Sequence, residues 1–246
     1  MIGTIRLAGA THRGRRRENN EDAFHIDEAM CAAILADGMG GQNCGEVGSE
    51  ITVRIATEYL KHPEDGLTLE EIAMEAIRAA NREVIAEAKQ RPECDGMGST
   101  IVMALWRLPE LVIANVGDSR AYLFRDGEMR QLSYDQNFAN ELRTKLGLSE
   151  DRVRTMPNRN VLTMAVGTFE HVLVRTHIEQ VRPGDRILLC SDGLHGPVAD
   201  DIIAGIIGDS ISVQEKVDTL IVIANENGGP DNVTAVLLEF GDGTDG

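Results

Sequence analysis

The order of apolar segments along the chain is the feature that most restricts its fold. Short apolar runs of strand length come before and after two long amphipathic segments instead of alternating with them. In Gly45–His62 and from Thr68 to about Gln90, apolar residues recur every three or four positions, which predicts two consecutive helices. Glu71, three residues after Thr68, is typical of a capping box. This order predicts an α+β fold, because a parallel sheet requires strict β–α–β alternation.

The other predicted elements are shorter. Pro109 and the Asp-Gly pair at 126–127 each predict a hairpin turn. Short helices are expected over Asn137–Leu146, Asp200–Ile207 and Val213–Asn225, and residues 133–168 otherwise have the weakest pattern and are expected to be mobile. The strands are expected over Ala32–Ala36, Ser99–Trp106, Leu111–Val116, Ala121–Arg125, Arg186–Cys190 and Val233–Phe240.

Composition excludes several classes of function. The 246 residues include 40 acidic and 24 basic ones, and the formal charge of −16 argues against binding to nucleic acid or to an anionic membrane surface. No apolar stretch approaches the ~20 residues of a membrane span, and the first residues show no secretory signal, so a cytoplasmic protein is expected. The cysteines have no metal-type spacing and are expected to be reduced; they are Cys31, Cys44, Cys94 and Cys190.

Four aspartates share one context. Asp37, Asp118, Asp192 and Asp231 each lie where an apolar strand begins or ends, beside glycine or asparagine. Each one alone is typical of an ordinary turn. If the strand ends converge, however, the four carboxylates repel one another unless cations lie between them. Oxygen ligands of this kind select hard cations such as Mg²⁺, Mn²⁺ or Ca²⁺.

The segment RGRRRENNED, residues 13–22, combines arginines with further acids. Arginine binds phosphate with two parallel hydrogen bonds, whereas the alternative is a flexible basic tract. An arginine next to a cation cluster favours a phosphorylated substrate.

Taken together, these segments resemble the metal-dependent protein phosphatase family of the 2C type, in its bacterial form. The motifs occur in the family's order over residues 5–240, and they are GRRRENNED (14–22), DGMGG (37–41), MGST (97–100), GDSR (117–120), SDGL (191–194) and GGPDNVT (228–234). The resemblance implies a four-layer α-β-β-α sandwich with two central antiparallel sheets. It also implies a single catalytic domain over residues 1–246, with a flap at about 133–168 that contacts the substrate peptide.

The resemblance also implies a role for each acid. Asp37 would bridge two Mn²⁺ or Mg²⁺ ions, and the main-chain carbonyl of Gly38 would ligate one of them. Asp192 and Asp231 would complete the shell of the other ion. Asp118, together with Asp192, would hold a third and weaker ion.

Three further residues receive roles from the same resemblance. Glu21 and Asp22 would act mainly through metal-bound water, and Arg17 would bind the substrate phosphate. The expected reaction is attack on phosphorus by a water that the ions activate, with no covalent enzyme intermediate. Asp37, Asp192, Asp231 and Arg17 form the expected catalytic set.

The sequence departs from the family at three positions. Gln42, Gln136 and Met156 stand where bacterial relatives commonly have histidine. If a histidine protonates the leaving alkoxide, its loss slows hydrolysis of alkyl phosphates and spares aryl phosphates such as p-nitrophenyl phosphate. If these positions only shape the rim, the loss changes little.

The leading hypothesis is therefore a protein serine/threonine phosphatase that opposes a bacterial-type Ser/Thr kinase, acts on phosphoproteins and is a monomer. The alternative from another class is a pseudo-phosphatase that binds metal or phosphoprotein without turnover. A phosphatase for an anti-sigma-type regulator and a small-molecule phosphatase also stay open.

Overall fold

Two antiparallel sheets lie at the centre of the computed structural model, which describes residues 2–40, 44–149, 152–153 and 155–242. In chain order the strands are β1 (Thr4–His12), β2 (Asp22–Asp27), β3 (Ala32–Met39), β4 (Gly98–Ser99), β5 (Ile101–Arg107), β6 (Glu110–Val116), β7 (Arg120–Arg125), β8 (Glu128–Gln131), β9 (Arg175–Gln180), β10 (Arg186–Cys190) and β11 (Val233–Gly241). The first sheet has the strand order β1-β11-β10-β7-β8 and the second the order β2-β3-β5-β6-β9, with β4 paired to the end of β3.

Helices cover the outer face of each sheet. The helices with bounds among the described residues are α1 (Gly45–Lys61), α2 (Leu69–Gln90), α3 (Phe138–Leu146), α4 (Asp192–His195), α5 (Asp200–Gly208) and α6 (Val213–Glu226), with a 3₁₀ turn at Pro92–Cys94. Helices α1 and α2 contact the second sheet, and α5 and α6 contact the first. No helix within the described residues has the length and apolar character needed to cross a membrane.

Three apolar cores hold the four layers together. The middle core joins the facing sides of the two sheets, with side chains such as Leu35, Val102, Ile113, Leu189 and Leu238. An outer core lies between the second sheet and α1 and α2, and another lies between the first sheet and α5 and α6. Burial of these apolar faces is the main stabilising contribution, so the α+β sandwich predicted from the sequence is confirmed.

The strongly periodic elements lie where the sequence predicts them. Helices α1, α2, α5 and α6 match their predicted ranges to within one residue, and the capping box at Thr68 is present. The predicted strand Ser99–Trp106 is divided into β4 and β5. Thr100 lies between them and belongs to neither strand, and its hydroxyl forms hydrogen bonds with the N–H of Asp37 and the hydroxyl of Ser119.

The cysteine expectation is wrong for one pair. Cys44, which directly precedes α1, forms a disulfide with Cys94 in the 3₁₀ turn, and the two Cα atoms are 5.5 Å apart. The two residues are 50 positions apart in sequence, so spacing gives no sign of the pairing. Cys31 and Cys190 are free thiols, as expected.

Candidate active site

The predicted acids meet at one edge of the sandwich. Asp37 lies inside β3, opposite Asp22 of β2, while Asp118 lies in the turn after β6. Asp192 is the first residue of α4, directly after β10, and Asp231 comes two residues before β11. A cavity of about 430 Å³ has in its lining Arg17, Glu21, Asp37, Gly38, Asp118, Asp192 and Asp231.

The main chain of Asp37 is fixed by the break between β4 and β5. Its N–H donates to Oγ1 of Thr100 at 3.0 Å, and its carbonyl accepts from the N–H of Thr100 at 2.8 Å and from Oγ of Ser99 at 3.0 Å. The Thr100 hydroxyl also shares a hydrogen bond of 2.6 Å with Ser119, beside Asp118. The Thr100 hydroxyl thus links the end of β3, which carries Asp37, to the turn after β6, which carries Asp118.

The start of α1 packs directly on the strand end that follows Asp37. A Cβ atom at Gly38 would lie 2.0 Å from the carbonyl oxygen of Gly45, and one at Gly45 would lie 2.6 Å from the carboxylate carbon of Glu21. The N–H of Gly38 donates to the carbonyl of Glu21 at 2.9 Å. Glycine is required at Gly38 because its neighbours there are main-chain atoms, whereas glycine at Gly45 leaves room for the Glu21 carboxylate.

Arg17 lies at the rim of the cavity. Its Nη2 donates to Oδ2 of Asp231 at 2.7 Å, and its Nη1 lies 3.9 Å from Oε2 of Glu21. About half of its side chain is exposed, so the guanidinium is accessible to a ligand that enters from solvent.

Asn232 holds the loop that carries Arg17. Its Nδ2 donates to the carbonyls of Arg13 at 3.0 Å and Asn19 at 2.8 Å, while its Oδ1 accepts from the N–H of Glu21 at 2.8 Å. Sequence reasoning gave Asn232 no role, although its place directly after Asp231 in the last motif was a signal.

Asp22 lies behind the cavity and not in its lining. Its Oδ2 accepts from Oγ of Ser191 at 2.8 Å and from Oγ1 of Thr234 at 2.6 Å. Its Oδ1 is buried and has no hydrogen-bond partner among the described residues. Burial, opposed by the two hydroxyl hydrogen bonds, raises the pKa of Asp22 to about 6.

Asp118 is held at both its side chain and its main chain. Its Oδ2 accepts from Nδ2 of Asn137 at 3.1 Å, and its carbonyl oxygen lies 3.1 Å from Nε2 of His195. Burial lowers the pKa of His195 to about 3, so the ring is neutral and its Nε2–H donates to this carbonyl. His195 thereby links α4, which begins at Asp192, to the turn that carries Asp118.

The electrostatics of the cavity favour cations. Burial, followed by the nearby charges of Asp22, Asp192, Asp118 and Asp231, raises the pKa of Asp37 well above its usual range. Burial and the neighbouring Asp118 and Asp231 raise the pKa of Asp192 to about 7, and burial raises that of Asp118 to about 6. Raised pKa values of this kind mean that the charged form of these acids is disfavoured unless a cation compensates their charge.

The donor set fits hard divalent ions. All the side-chain donors are oxygens, and the unpartnered Oδ1 of Asp22 remains free to accept from a water. Within the described residues, no three His, Cys, Asp or Glu side chains converge into a ready-made cation site. A hard ion that keeps several water ligands beside one or two carboxylates, as Mg²⁺ does, suits such a set of oxygens.

Two of the three positions that lack the expected histidine can be described. Gln136 is buried; its Oε1 accepts from the N–H of Gly117 at 2.8 Å and its Nε2 donates to the carbonyl of Leu173 at 2.7 Å. Met156 lies in a turn, where its N–H donates to the carbonyl of Val153. Neither residue is in the lining of the cavity, whereas Gln42 lies outside the described residues.

Comparison with known proteins agrees with this geometry. The family model for protein phosphatase 2C matches residues 8–237. The chain belongs to this family. It is 37% identical over 235 residues to the serine/threonine phosphatase stp of Listeria innocua, with 93% of each chain covered. The resemblance drawn from the motifs is thereby confirmed.

Solved structures of the family superpose over nearly the whole chain. The Mycobacterium tuberculosis serine/threonine phosphatase PstP/Ppp matches with a TM-score of 0.89 and 35% identity, covering 96% of this chain and 99% of that one. The catalytic domain of PstP in complex with two manganese ions matches with a TM-score of 0.86 and 35% identity, covering 97% and 99%. These matches bear out the fold predicted from the motifs.

Proposed function

We propose that the protein is a metal-dependent protein serine/threonine phosphatase that hydrolyses phosphoserine and phosphothreonine. The observation that carries this proposal is the convergence of Asp37, Asp192, Asp231 and Arg17 on one cavity, although they come from distant parts of the chain. The manganese-bound relative and the stp phosphatase, both over 30% identical, support the same reaction class.

The acids would hold two Mn²⁺ or Mg²⁺ ions. Asp37 would contact both ions, the carbonyl of Gly38 would ligate one, and Asp192 and Asp231 would ligate the other. When bound, such a pair supplies the positive charge that activates a water for attack on phosphorus. Asp118 lines the same cavity as Asp192, which supports a third and weaker ion between them.

The remaining polar residues would orient the water and the substrate. Glu21 lines the cavity and Asp22 presents a free carboxylate oxygen beside it, as expected of groups that act through metal-bound water. Arg17, which donates to the carboxylate of Asp231, would exchange that carboxylate for a substrate phosphate once a cation takes it. Its guanidinium would then neutralise charge on the phosphoryl oxygens.

The pseudo-phosphatase alternative rests on the missing histidines. Gln136 and Met156 do not line the cavity, so a histidine at either position would not lie beside a leaving group there. This favours the interpretation in which such positions shape the rim and turnover persists. The matched relatives are named as phosphatases, which also favours the enzyme.

Five further parts of the proposal concern the setting and the organisation of the enzyme. A bacterial-type Ser/Thr kinase would supply its phosphoprotein substrates, and the protein would act as a monomer in the cytoplasm. The single catalytic domain over residues 1–246 stays a prediction. So does the flap at 133–168, of which residues 150, 151 and 154 lie outside the described part of the chain.

Phosphate release from phosphothreonine, phosphoserine and phosphotyrosine peptides tests the proposed function. We expect turnover of the first two with Mn²⁺, loss of turnover on chelation, and loss in Asp192→Ala. The matched control is Asp218→Ala, which removes an exposed carboxylate on α6 that is not in the cavity lining. Turnover that survives chelation, or no turnover above that of Asp192→Ala, would overturn the proposal.

A further inference from the structure

We propose that Arg13 and Arg15 bind an acidic residue of the phosphoprotein substrate that stands close to the phosphoresidue in its sequence. This inference rests on the proposed function and concerns the choice of substrate at the same site. Four arginines occur within residues 13–17, called here the arginine turn, and of these four only Arg17 lies in the lining of the catalytic cavity. The side chains of the other three are exposed, and the third is Arg16.

The main chain of the arginine turn is fixed by the loop before β11. The carbonyl of Arg13 accepts from Nδ2 of Asn232 at 3.0 Å, and the N–H of Arg15 donates to the carbonyl of Gly229 at 2.9 Å. The turn is therefore held against a second segment of the chain. This argues against the flexible basic tract, which the sequence left open as an alternative.

The arginine turn lies directly beside the catalytic cavity. A Cβ atom at Gly14 would lie 2.1 Å from the carbonyl oxygen of Asp231, which is a residue of the cavity lining. Arg15 is two positions from Arg17, and two residues of chain span at most about 7 Å. With the phosphate of a substrate at Arg17, a substrate residue about one to three positions away therefore reaches Arg15.

Two of the three exposed arginines have side chains held by a neighbour. Nη1 of Arg13 donates to the carbonyl of Glu18 at 3.4 Å. A Cβ atom at Gly229 would lie 3.0 Å from Cγ of Arg15, so the stem of this arginine packs on the glycine. The side chain of Arg16 forms no hydrogen bond or ion pair with the described residues. Because a held side chain loses less freedom on binding, Arg13 and Arg15 are better placed than Arg16 to bind an anion.

The charge of these arginines is not compensated within the described part of the chain. Arg17 forms ion pairs with two acids of the cavity lining, whereas Arg13 and Arg15 form none with a described carboxylate. Residues 13–18 hold four arginines and one acid, Glu18. On a chain with a formal charge of −16, such an exposed group of cations favours an acidic partner and selects against a basic one.

The position of the arginine turn identifies the partner. Nucleic acid and anionic membranes are repelled by the charge of −16 on the whole chain. An acidic residue of the substrate, by contrast, arrives together with the phosphoresidue that Arg17 binds, so its effective concentration at the turn is high. A second copy of this chain has no such link to the cavity.

A set of phosphothreonine peptides tests the inference. A Glu-Glu pair is placed about one to three residues from the phosphothreonine, on the N-terminal side in one peptide and on the C-terminal side in another, with Ser-Gly and Lys-Lys versions of each. For one side, we expect the KM of the Glu-Glu peptide to be about fivefold below that of the Ser-Gly peptide, and the KM of the Lys-Lys peptide to be higher than both. Because the arginines are exposed, added salt should reduce this preference.

Arg15→Ala and Arg16→Ala are a matched pair, because they remove the same charge from neighbouring exposed positions. Arg15→Ala should lose most of the preference for Glu-Glu, and Arg13→Ala/Arg15→Ala should lose all of it, whereas Arg16→Ala should keep it. Arg15→Lys should keep part of the preference, since lysine retains the charge. The loss should appear in KM and not in kcat, and equal melting temperatures with Mn²⁺ should show that each variant is folded.

Four outcomes would overturn the inference. If the unmodified protein turns over p-nitrophenyl phosphate but treats all peptides alike, the two arginines have no role while the proposed function stands. If Arg15→Ala and Arg16→Ala lose the preference equally, the segment contributes only general positive charge. If Arg15→Ala dissociates a dimer in sedimentation experiments without changing any KM, the turn binds a second copy. If the unmodified protein turns over no phosphate ester, the proposed function fails and this inference fails with it.

Discussion

Arg17 joins the acids of the cavity to the solvent from which a phosphoresidue must enter. Its contact with Asp231 holds a planar fork of donors at the rim, and a phosphate accepts two parallel hydrogen bonds from such a fork. We expect Arg17→Ala to raise KM for a phosphothreonine peptide about tenfold or more and to lower kcat as well. The KM and kcat of Arg17→Lys should lie between those of the unmodified protein and those of Arg17→Ala, since lysine keeps the charge but lacks the planar pair of donors.

The control for this variant is Arg16→Ala, one residue away. Arg16 is exposed and outside the cavity lining, so steady-state kinetics should be unchanged in that variant. Equal losses in the two variants would mean that the segment contributes general positive charge and that Arg17 has no specific contact with the phosphate.

The buried carboxylates make the stability of the chelated protein depend on pH in an unusual direction. The pKa values of Asp22, Asp118 and Asp192 are about 6, 6 and 7 in the folded protein, above the ordinary value of an aspartate. At a pH between the pKa of an aspartate in the unfolded chain and these folded pKa values, the folded state binds more protons than the unfolded state. The free energy of unfolding therefore rises as pH falls from about 8 to about 5.

Thermal melting in the presence of a chelator measures this dependence. The melting temperature should increase toward pH 5.5, and Asp192→Asn should flatten the curve because it removes one titrating group. With Mn²⁺ the dependence should reverse, since protons and cations compete for the same oxygens. A chelated protein that becomes less stable over this acidic range would show that these carboxylates are not protonated as described.

Among the elements, the start of α1 packs against Glu21, a residue of the cavity lining. A Cβ atom at Gly45 would meet the carboxylate of Glu21, which is the movable end of a side chain. We expect Gly45→Ala to leave the melting temperature of the chelated protein nearly unchanged but to raise the Mn²⁺ concentration for half-maximal activity about tenfold. Gly205→Ala on α5 is the matched control, because nothing lies within 4 Å of its added Cβ. An unchanged Mn²⁺ requirement in Gly45→Ala would remove Glu21 from the metal site.

The Cys44–Cys94 disulfide closes the segment that contains α1 and α2. The two cysteines are 50 residues apart, so the bond restricts the unfolded chain over a long loop. The double variant Cys44→Ala/Cys94→Ala should lower the free energy of unfolding by about 2–4 kcal/mol in denaturant titrations. Reductant should lower the stability of the unmodified protein by the same amount and leave the double variant unaffected. Equal stability with and without reductant in the unmodified protein would contradict the bond.

Sequence periodicity predicts those elements in which the spacing of apolar residues itself shows which face is buried. The long apolar stripes of α1 and α2 are readable because each stripe repeats over several turns. Strands β1 and β9 were missed, because they are largely unburied and mix polar with apolar residues. Their strand character comes from partners far along the chain: β1 pairs with β11, at the opposite end of the sequence. Such pairing leaves no local pattern to read.

The candidate site is predictable in part for a similar reason. Its acids stand in short motifs, so the sequence alone identifies Asp37, Asp192 and Asp231. Thr100 and His195 were not assigned a role, because each acts by a hydrogen bond to the main chain of a distant acid. Contacts of that kind depend on the packing of the two sheets, which the spacing of motifs does not report.

At the scale of the whole molecule, the acids that give the net charge of −16 fall into two groups. Most acids lie on the surface, whereas six of them surround or support the cavity; they are Glu21, Asp22, Asp37, Asp118, Asp192 and Asp231. Two divalent ions bound there would reverse the local charge and let a phosphate approach a protein that otherwise repels it.

A crystal of the protein grown with Mn²⁺ and measured at the manganese absorption edge tests this claim most directly. The account predicts two anomalous peaks about 3.5–4 Å apart in the cavity, with Asp37 between them, the carbonyl of Gly38 at one and Asp192 and Asp231 at the other. A cavity without anomalous density, or manganese bound only elsewhere on the acidic surface, would contradict it.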